Sequence, residues 1–382
     1  MENQKHLFSL DEGVHYLNNA YKAPLLKSSE EAAMKAIMGD RTPIHLTPDS
    51  YFDTIERIRV EFSQLVNCTP TQVALIPASS YGLSSALNNV PCKEGQHALI
   101  IENEFPSDFF AVKRWTQRHQ CTLTTVRPDE ASQQPAKDWN ERILHAITPQ
   151  TAVLVMSSVH WMNGTLFDLE RIGAKCAETG TYFIVDGTQS VGARFIDVSK
   201  YQIDALICAA YKWLLGPYST GLAYFSSKFN DGTPIEESWM NRTNAMEFSN
   251  LTTYEEQYTP NAGRYNVGQT SNFILAPMLL KALEQLNKWG INNIESYAKK
   301  LVAPLRDFLQ MKGISMEEDA YFSAHLFGIK LPASVAFDEV KAQLTKEQIY
   351  VSVRGNFIRV SINIFNTEKD IEKLISALEE VL

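Results

Sequence analysis

The sequence predicts an α/β protein: a mainly parallel sheet sandwiched by helices, followed by a smaller α+β unit. Two observations carry this. Between Gln72 and Phe225, short apolar runs alternate with amphipathic stretches. Most of these runs, 121–126 excepted, are largely apolar rather than alternating, as strands buried on both faces must be. From residue 324 onward the order changes to strand, helix, strand, strand, helix, the rhythm of a separate α+β unit. With 382 residues the chain is long enough for two domains. The expected division is an N-terminal arm over 1–25, a large domain over 26–272 and a small one over 273–382.

The elements follow in order. YLNNAYKAPL in the arm has turn formers at its centre and no helical period. Residues 28–39 and 50–66 read as helices; in the second, Tyr51, Ile55, Ile58, Phe62 and Leu65 recur at three- and four-residue steps and make one apolar face. DRTPIHLTPD between them is a loop. Strands are expected at 72–76, 97–101, 121–126, 151–157, 182–185, 205–210 and 221–225. Helices are expected after the first four of these, to about 89, through 118, near 137–146 and over 169–179. Residues 228–272 are polar and irregular, which in a compact domain marks a functional segment or an interface. Helices then cover 274–289 and 291–311. The last unit has strands at 324–330, 349–353 and 357–363 and helices at 336–345 and 367–381, the final one opened by the Thr367/Asp370 capping-box variant.

Composition excludes several function classes. Hydrophobic residues make up 45% and charged residues 21%, an ordinary globular balance. The formal net charge is -9 with no basic cluster, so nucleic acid and anionic membrane are poor partners. No apolar run approaches the roughly 18 residues of a membrane span. The polar MENQKHLFSLDEG start is unlike a secretory signal. Cys68, Cys92, Cys121, Cys176 and Cys208 form no C-x-x-C pair, so neither a metal site nor a disulfide framework is expected. A cytoplasmic location follows as the default.

Ligands of parallel sheets sit beyond the carboxyl ends of the strands. Two strand ends stand out: Tyr182–Val185 delivers Asp186, and Ala205–Ala210 delivers Tyr211 and Lys212. A lysine in apolar surroundings loses its charge readily, which suits Schiff-base chemistry, and a carboxylate beside it can pair with a pyridinium nitrogen. Spacing alone does not separate this from a solvent-facing lysine and a helix-capping aspartate. The surrounding residues do: DGTQ after the acid, and GPYSTG after the lysine.

These motifs resemble the class V aminotransferase family of fold-type I pyridoxal phosphate enzymes, which includes cysteine desulfurases, selenocysteine lyases, kynureninases and isopenicillin N epimerase-like proteins. The resemblance runs from YLNNA at 16–20 to RVSINIFNTEKDI at 359–371. It implies a fold-type I structure, pyridoxal 5′-phosphate as cofactor and an amino-acid substrate. It implies that Lys212 carries the cofactor as an aldimine, that Asp186 pairs with the ring nitrogen and that Gln189 lies near the ring oxygen. Ser79 and Ser80, between a strand and a helix, match the family's phosphate-holding residues, as does Tyr211 in kynureninase-like members. Phe105 in EFPSDFF matches the ring-stacking position, with Asp108 in support. In SVHWMNG, Trp161 falls where the family has asparagine, a departure that leaves open whether His160, Trp161 or Asn163 reaches the cofactor.

Arg359 matches the arginine that holds the substrate carboxylate. Arg354, close by, could bind a second carboxylate or replace it. YNVGQTSN at 265–272 resembles a segment that reaches the phosphate across a dimer interface; one inserted residue leaves both Gln269 and Thr270 as candidates and implies a homodimer with a shared site. Tyr21 and His45 are candidate pocket residues. No cysteine lies between Gly290 and Arg359, so the thiolate of a cysteine desulfurase is missing. Transamination, epimerisation and lyase or hydrolase chemistry share their first steps and stay open. A dinucleotide-binding protein would need a Gly-rich phosphate loop after the first strand, and PASSYG has none. A non-catalytic relative that keeps the fold is the remaining alternative.

Overall fold

A computed structural model describes residues 1–129 and 131–382. Its strands are β1 (His15–Tyr16), β2 (Val73–Ile76), β3 (His97–Ile101), β4 (Thr122–Val126), β5 (Thr151–Ser157), β6 (Tyr182–Asp186), β7 (Ala205–Ala209), β8 (Gly221–Phe225), β9 (Leu326–Lys330), β10 (Ile349–Tyr350), β11 (Ser352–Arg354) and β12 (Phe357–Ser361). Its α-helices are α1 (Lys27–Gly39), α2 (Asp53–Val66), α3 (Ser79–Asn88), α4 (Pro106–His119), α5 (Pro135–Ala146), α6 (Leu169–Thr179), α7 (Leu275–Trp289), α8 (Ile291–Met311), α9 (Phe337–Lys346) and α10 (Glu368–Glu379).

The main sheet has the order β2-β8-β7-β6-β5-β3-β4. All pairings are parallel except those of β8, which is antiparallel to both β2 and β7. The apolar runs divide by alternation between two helix layers. Leu154, Met156, Phe183, Val185 and Leu206 enter the core shared with α2, α6 and α7. Val153, Val155, Ile184, Ala205 and Ile207 enter the opposite core, under α3 and α4. That two-sided burial is why the central strands carry no polar alternation, whereas the edge strand β4, largely exposed, carries three threonines.

The C-terminal sheet is antiparallel in the order β11-β12-β9, packed with α8 and α10 over a separate core. Along α7 and α8, buried apolar residues from Ala276 to Ile294 belong to the core of the large sheet and those from Ala298 to Leu309 to the second core.

Two details differ from expectation. The strand expected at 349–353 is two short ones, because Ile349–Tyr350 pairs in parallel with His15–Tyr16 while Ser352–Arg354 pairs with β12. The arm is therefore bound to the C-terminal unit, where Leu17 is buried in its core. The helix expected from residue 50 begins at Asp53, after a 3-10 turn opened by Pro48. The irregular 228–272 segment holds only 3-10 turns. No helix among the described residues is long and apolar enough to cross a membrane.

Candidate active site

A small cavity opens at the carboxyl ends of the parallel strands, lined by Ser79, Glu104, Phe105, Ser157, Trp161, Asp186, Thr188, Gln189, Ala209, Tyr211 and Lys212. Each lining residue is delivered by a strand end or by the first turn after it. Asp186 ends β6 beside Ser157, the last residue of β5. Its carboxylate accepts from the Thr188 amide at 2.7 Å, and the Thr188 hydroxyl accepts from the Ala209 amide at 3.0 Å, which ties the ends of β6 and β7 together. Ser79 opens α3, where unpaired helix amides make an anion site.

Lys212 is buried, and its ammonium has no ion-pair or hydrogen-bond partner among the described residues. Nζ lies 5.7 Å from the Phe105 ring centroid and 5.5 Å from that of Tyr211. Burial pushes its pKa down to about 8; Asp186 acts against this shift, while Arg359 and Arg354 reinforce it.

Asp108, in the first turn of α4, is fully buried and meets the carboxyl of Asp186. Two adjoining buried carboxyls cannot both ionise cheaply. Burial, then the charges of Asp186 and Glu104, raise Asp108 well above the usual range, whereas Asp186 is also raised by burial but is favoured as an anion by Thr188 and Lys212. Of the two, Asp108, whose carboxyl oxygens have no hydrogen-bond partner among the described residues, is the one whose ionised form the site supports least.

Glu104 escaped the sequence reading. It is buried, and accepts from the Phe105 amide at 2.7 Å, the Ser157 amide at 2.6 Å and the Ser157 hydroxyl at 2.7 Å. Burial raises it to about 7. It clamps the turn after β3 to the end of β5 and so holds Phe105 in place. The available signal was an acid three residues beyond an apolar run.

Gln189 lines the cavity, but both ends of its amide are engaged, with Ala20 carbonyl at 3.2 Å and the Trp213 indole at 2.9 Å. The Trp161 indole donates to the Asn103 carbonyl at 2.7 Å, so its ring, not its N–H, faces the cavity; it packs edge-on against Phe105 at 5.6 Å. His160 and Asn163 bond each other at 2.8 Å within their own turn.

Arg359, on β12, is not among the residues that line the cavity but bonds the backbone of Trp161, which is. It is 1% exposed, donates Nη1 to the Trp161 carbonyl at 2.8 Å, and leaves Nε and Nη2 without partners. Burial, with Arg354 nearby, lowers it to about 9. A buried guanidinium with two free donors is shaped for a carboxylate.

Other candidates fall elsewhere. Ser80 is exposed and does not line the cavity, because one step along α3 turns it away from Ser79. His45 lies in an exposed turn, and Tyr21 is 60% exposed. Gln269 is exposed with a left-handed φ of 59°, and the Thr270 hydroxyl faces Met240; neither lines this chain's cavity.

The profile of the aminotransferase class-V family matches residues 41–374. An uncharacterized aminotransferase, YcbU of Bacillus subtilis, is 25% identical over 85% of this chain and 82% of its own length. A kynureninase of Geobacillus thermodenitrificans is 24% identical over 66% of this chain and 59% of its own length. The structure of the cysteine desulfurase CsdA of Escherichia coli superposes with a TM-score of 0.83 at 18% identity, covering 99% of this chain and 98% of that one, and identifies the fold as that of fold-type I pyridoxal phosphate enzymes.

Proposed function

The chain belongs to the aminotransferase class-V family of pyridoxal 5′-phosphate-dependent enzymes, and on that premise we propose that it acts on an amino acid with Lys212 as its catalytic residue. The observation that carries this reading is an unpartnered, buried Lys212 sharing one cavity with the buried Asp186, next to which Asp108 is buried outside the cavity lining. When bound, the cofactor supplies an electron sink for charge that develops at the substrate α-carbon.

The chain's own residues have distinct tasks. Asp186 presents an anionic carboxylate to the ring nitrogen, and the adjoining Asp108 is the one of the two that stays neutral. Ser79 and the α3 N-terminus receive the phosphate. Phe105 covers the ring, held by Glu104. Arg359 binds the α-carboxylate with Nε and Nη2. Lys212, whose pKa burial brings down to about 8 so that a fraction is neutral near physiological pH, takes the α-proton and returns it.

Where the proton is returned decides between transamination and epimerisation, and loss of a substituent would make a lyase. The absence of cysteine between Gly290 and Arg359 supports a reaction other than cysteine desulfuration. Kynureninase-like hydrolysis is a second reading, favoured by Phe105-Pro106-Ser107-Asp108 with Asp108 against Asp186.

The same reading includes a homodimer. Gln269 and Thr270 lie away from this chain's own cavity, and Met34, Ile37 and Met38 expose one apolar face of α1. The large domain is read as 26–272 and the small one as 273–382, with α7 packed on the core of the large sheet.

The test is direct. Protein incubated with pyridoxal phosphate should gain visible absorbance, and borohydride should fix the cofactor to the peptide containing Lys212, as read by mass spectrometry. Lys212→Ala should show no such adduct. Protein that takes up no cofactor, or whose adduct maps to another lysine, would overturn the assignment.

A further inference from the structure

We propose that the substrate carries a second anion on its side chain, a carboxylate or a group of like charge such as a sulfinate, and that Arg354 binds it while Arg359 holds the α-carboxylate. This rests on the reading of Lys212 and Arg359 above.

The argument begins with register. Ser352 of β11 lies opposite Arg359 of β12, and Arg354 lies two residues beyond Ser352. Alternation puts Ser352 and Arg354 on one face of the sheet, and cross-strand pairing puts Arg359 on that face too. Diagonal neighbours of this kind stand about 7–8 Å apart, within reach for side chains as long as arginine.

Trp161 then ties both arginines to the cavity. Its carbonyl accepts from Arg359, the guanidinium carbon of Arg354 lies 5.8 Å from its indole centroid, and its ring lines the cavity beside Lys212.

Charge completes the argument. Among the described residues no Asp or Glu forms an ion pair with Arg354, Arg359 or Lys212. The acids of the site are engaged at its other side: Asp108 with Asp186, and Glu104 with Phe105 and Ser157. The guanidiniums repel, since Arg354 helps to lower Arg359, and both help to lower Lys212. One α-carboxylate satisfies Arg359 and leaves Arg354, whose Nη1 donates to the Val353 carbonyl at 2.6 Å, without an anionic partner. The cofactor phosphate does not need Arg354, because the α3 N-terminus at Ser79 is an anion site on the same cavity. A second negative charge on the substrate removes the repulsion.

The experiment uses cofactor-loaded protein titrated with aspartate, asparagine, glutamate, glutamine and cysteine sulfinate, following the absorbance of the bound cofactor. The expected result is that at least one acid binds about tenfold or more tightly than the amide of the same shape. In Arg354→Gln that acid-to-amide ratio should fall to near one, and Arg354→Lys should restore part of it. Equal binding of acids and amides by the native protein overturns the proposal, as does a ratio that survives in Arg354→Gln. Failure to take up cofactor would overturn the underlying reading of Lys212 as well; cofactor uptake without acid preference overturns only the role of Arg354.

Discussion

Lys212 loses its proton readily because the cavity removes water from its ammonium, and Asp186 only partly compensates. The sign of the pH effect follows. Below about 8 the group is an ammonium and cannot attack an aldehyde; above about 8 it is a free amine. The rate at which the apo-protein captures pyridoxal phosphate should therefore rise with pH to a midpoint near 8 and then level off. An exposed lysine would place that rise at about 10.4. Stopped-flow absorbance across pH 6 to 11 separates the two. Arg359 makes the second residue-scale prediction. Its two free donors are held ready in a buried position, so Arg359→Ala should weaken amino-acid binding by roughly 2–5 kcal/mol, the usual cost of removing one partner of a buried charge pair. Spectroscopic titration with the best substrate of a panel measures it; unchanged affinity would reassign the α-carboxylate to another residue.

The site's precision comes from the turns that follow each strand. Asp186 and Lys212 leave neighbouring strands, and the turn after β6 must pass under the segment that follows Lys212. Gly192 makes this possible. Its φ is 101°, and a Cβ there would overlap the Trp213 carbonyl, one residue beyond Lys212. Gly192→Ala should cost more than about 1 kcal/mol of stability and lower the fraction of protein that retains cofactor. Denaturant titration and the cofactor absorbance of the purified variant check both parts. A second turn has the same character: Gly164, at φ 76°, lets the loop after β5 lie against the backbone of Leu326, and the Gly328 amide donates to the Asn163 carbonyl at 2.9 Å. That docking brings Trp161 to Arg359, so one short loop joins the cofactor side of the cavity to the substrate side.

Across the whole molecule, the arm, the large sheet and the C-terminal unit are fastened by contacts remote in sequence. The Asn3 side chain donates to the carbonyls of Ile364 and Asn366, and His325 bonds the Gln189 carbonyl at 2.7 Å while its ring packs on Trp213 at 4.5 Å. Several large apolar residues stay exposed, among them Met34 at 60%, Ile44 at 83% and Tyr254 at 90%. Side chains of this size are better accounted for by an interface than by scattered exposure, given that Met34, Ile37 and Met38 recur at helical spacing. Sedimentation should give twice the chain mass, and a Met34→Asp, Ile37→Asp double variant should sediment as a monomer with weakened cofactor retention. A native protein that is monomeric at micromolar concentration would remove the homodimer and any shared site with it.

Sequence alone determined what depends on neighbours along the chain. Largely apolar runs announced β3, β5 and β8 at their observed limits, and helical periodicity announced α6 and α8. Polar residues at strand ends placed Ser79, Phe105, Trp161, Asp186, Gln189, Tyr211 and Lys212 at what became one cavity, because in a parallel sheet those ends must converge. Tertiary structure decided what depends on distant pairing. The strand expected at 349–353 divides because residues 15–16 claim half of it. Ser80 is separated from Ser79 by the turn of a helix. Glu104 became a clamp only when β3 and β5 came side by side, and Arg359 gained its two free donors only when β12 was buried against the Trp161 loop. A strand-end residue's position is set by a few neighbours, whereas its charge state and its unused hydrogen bonds are set by whatever the fold packs around it.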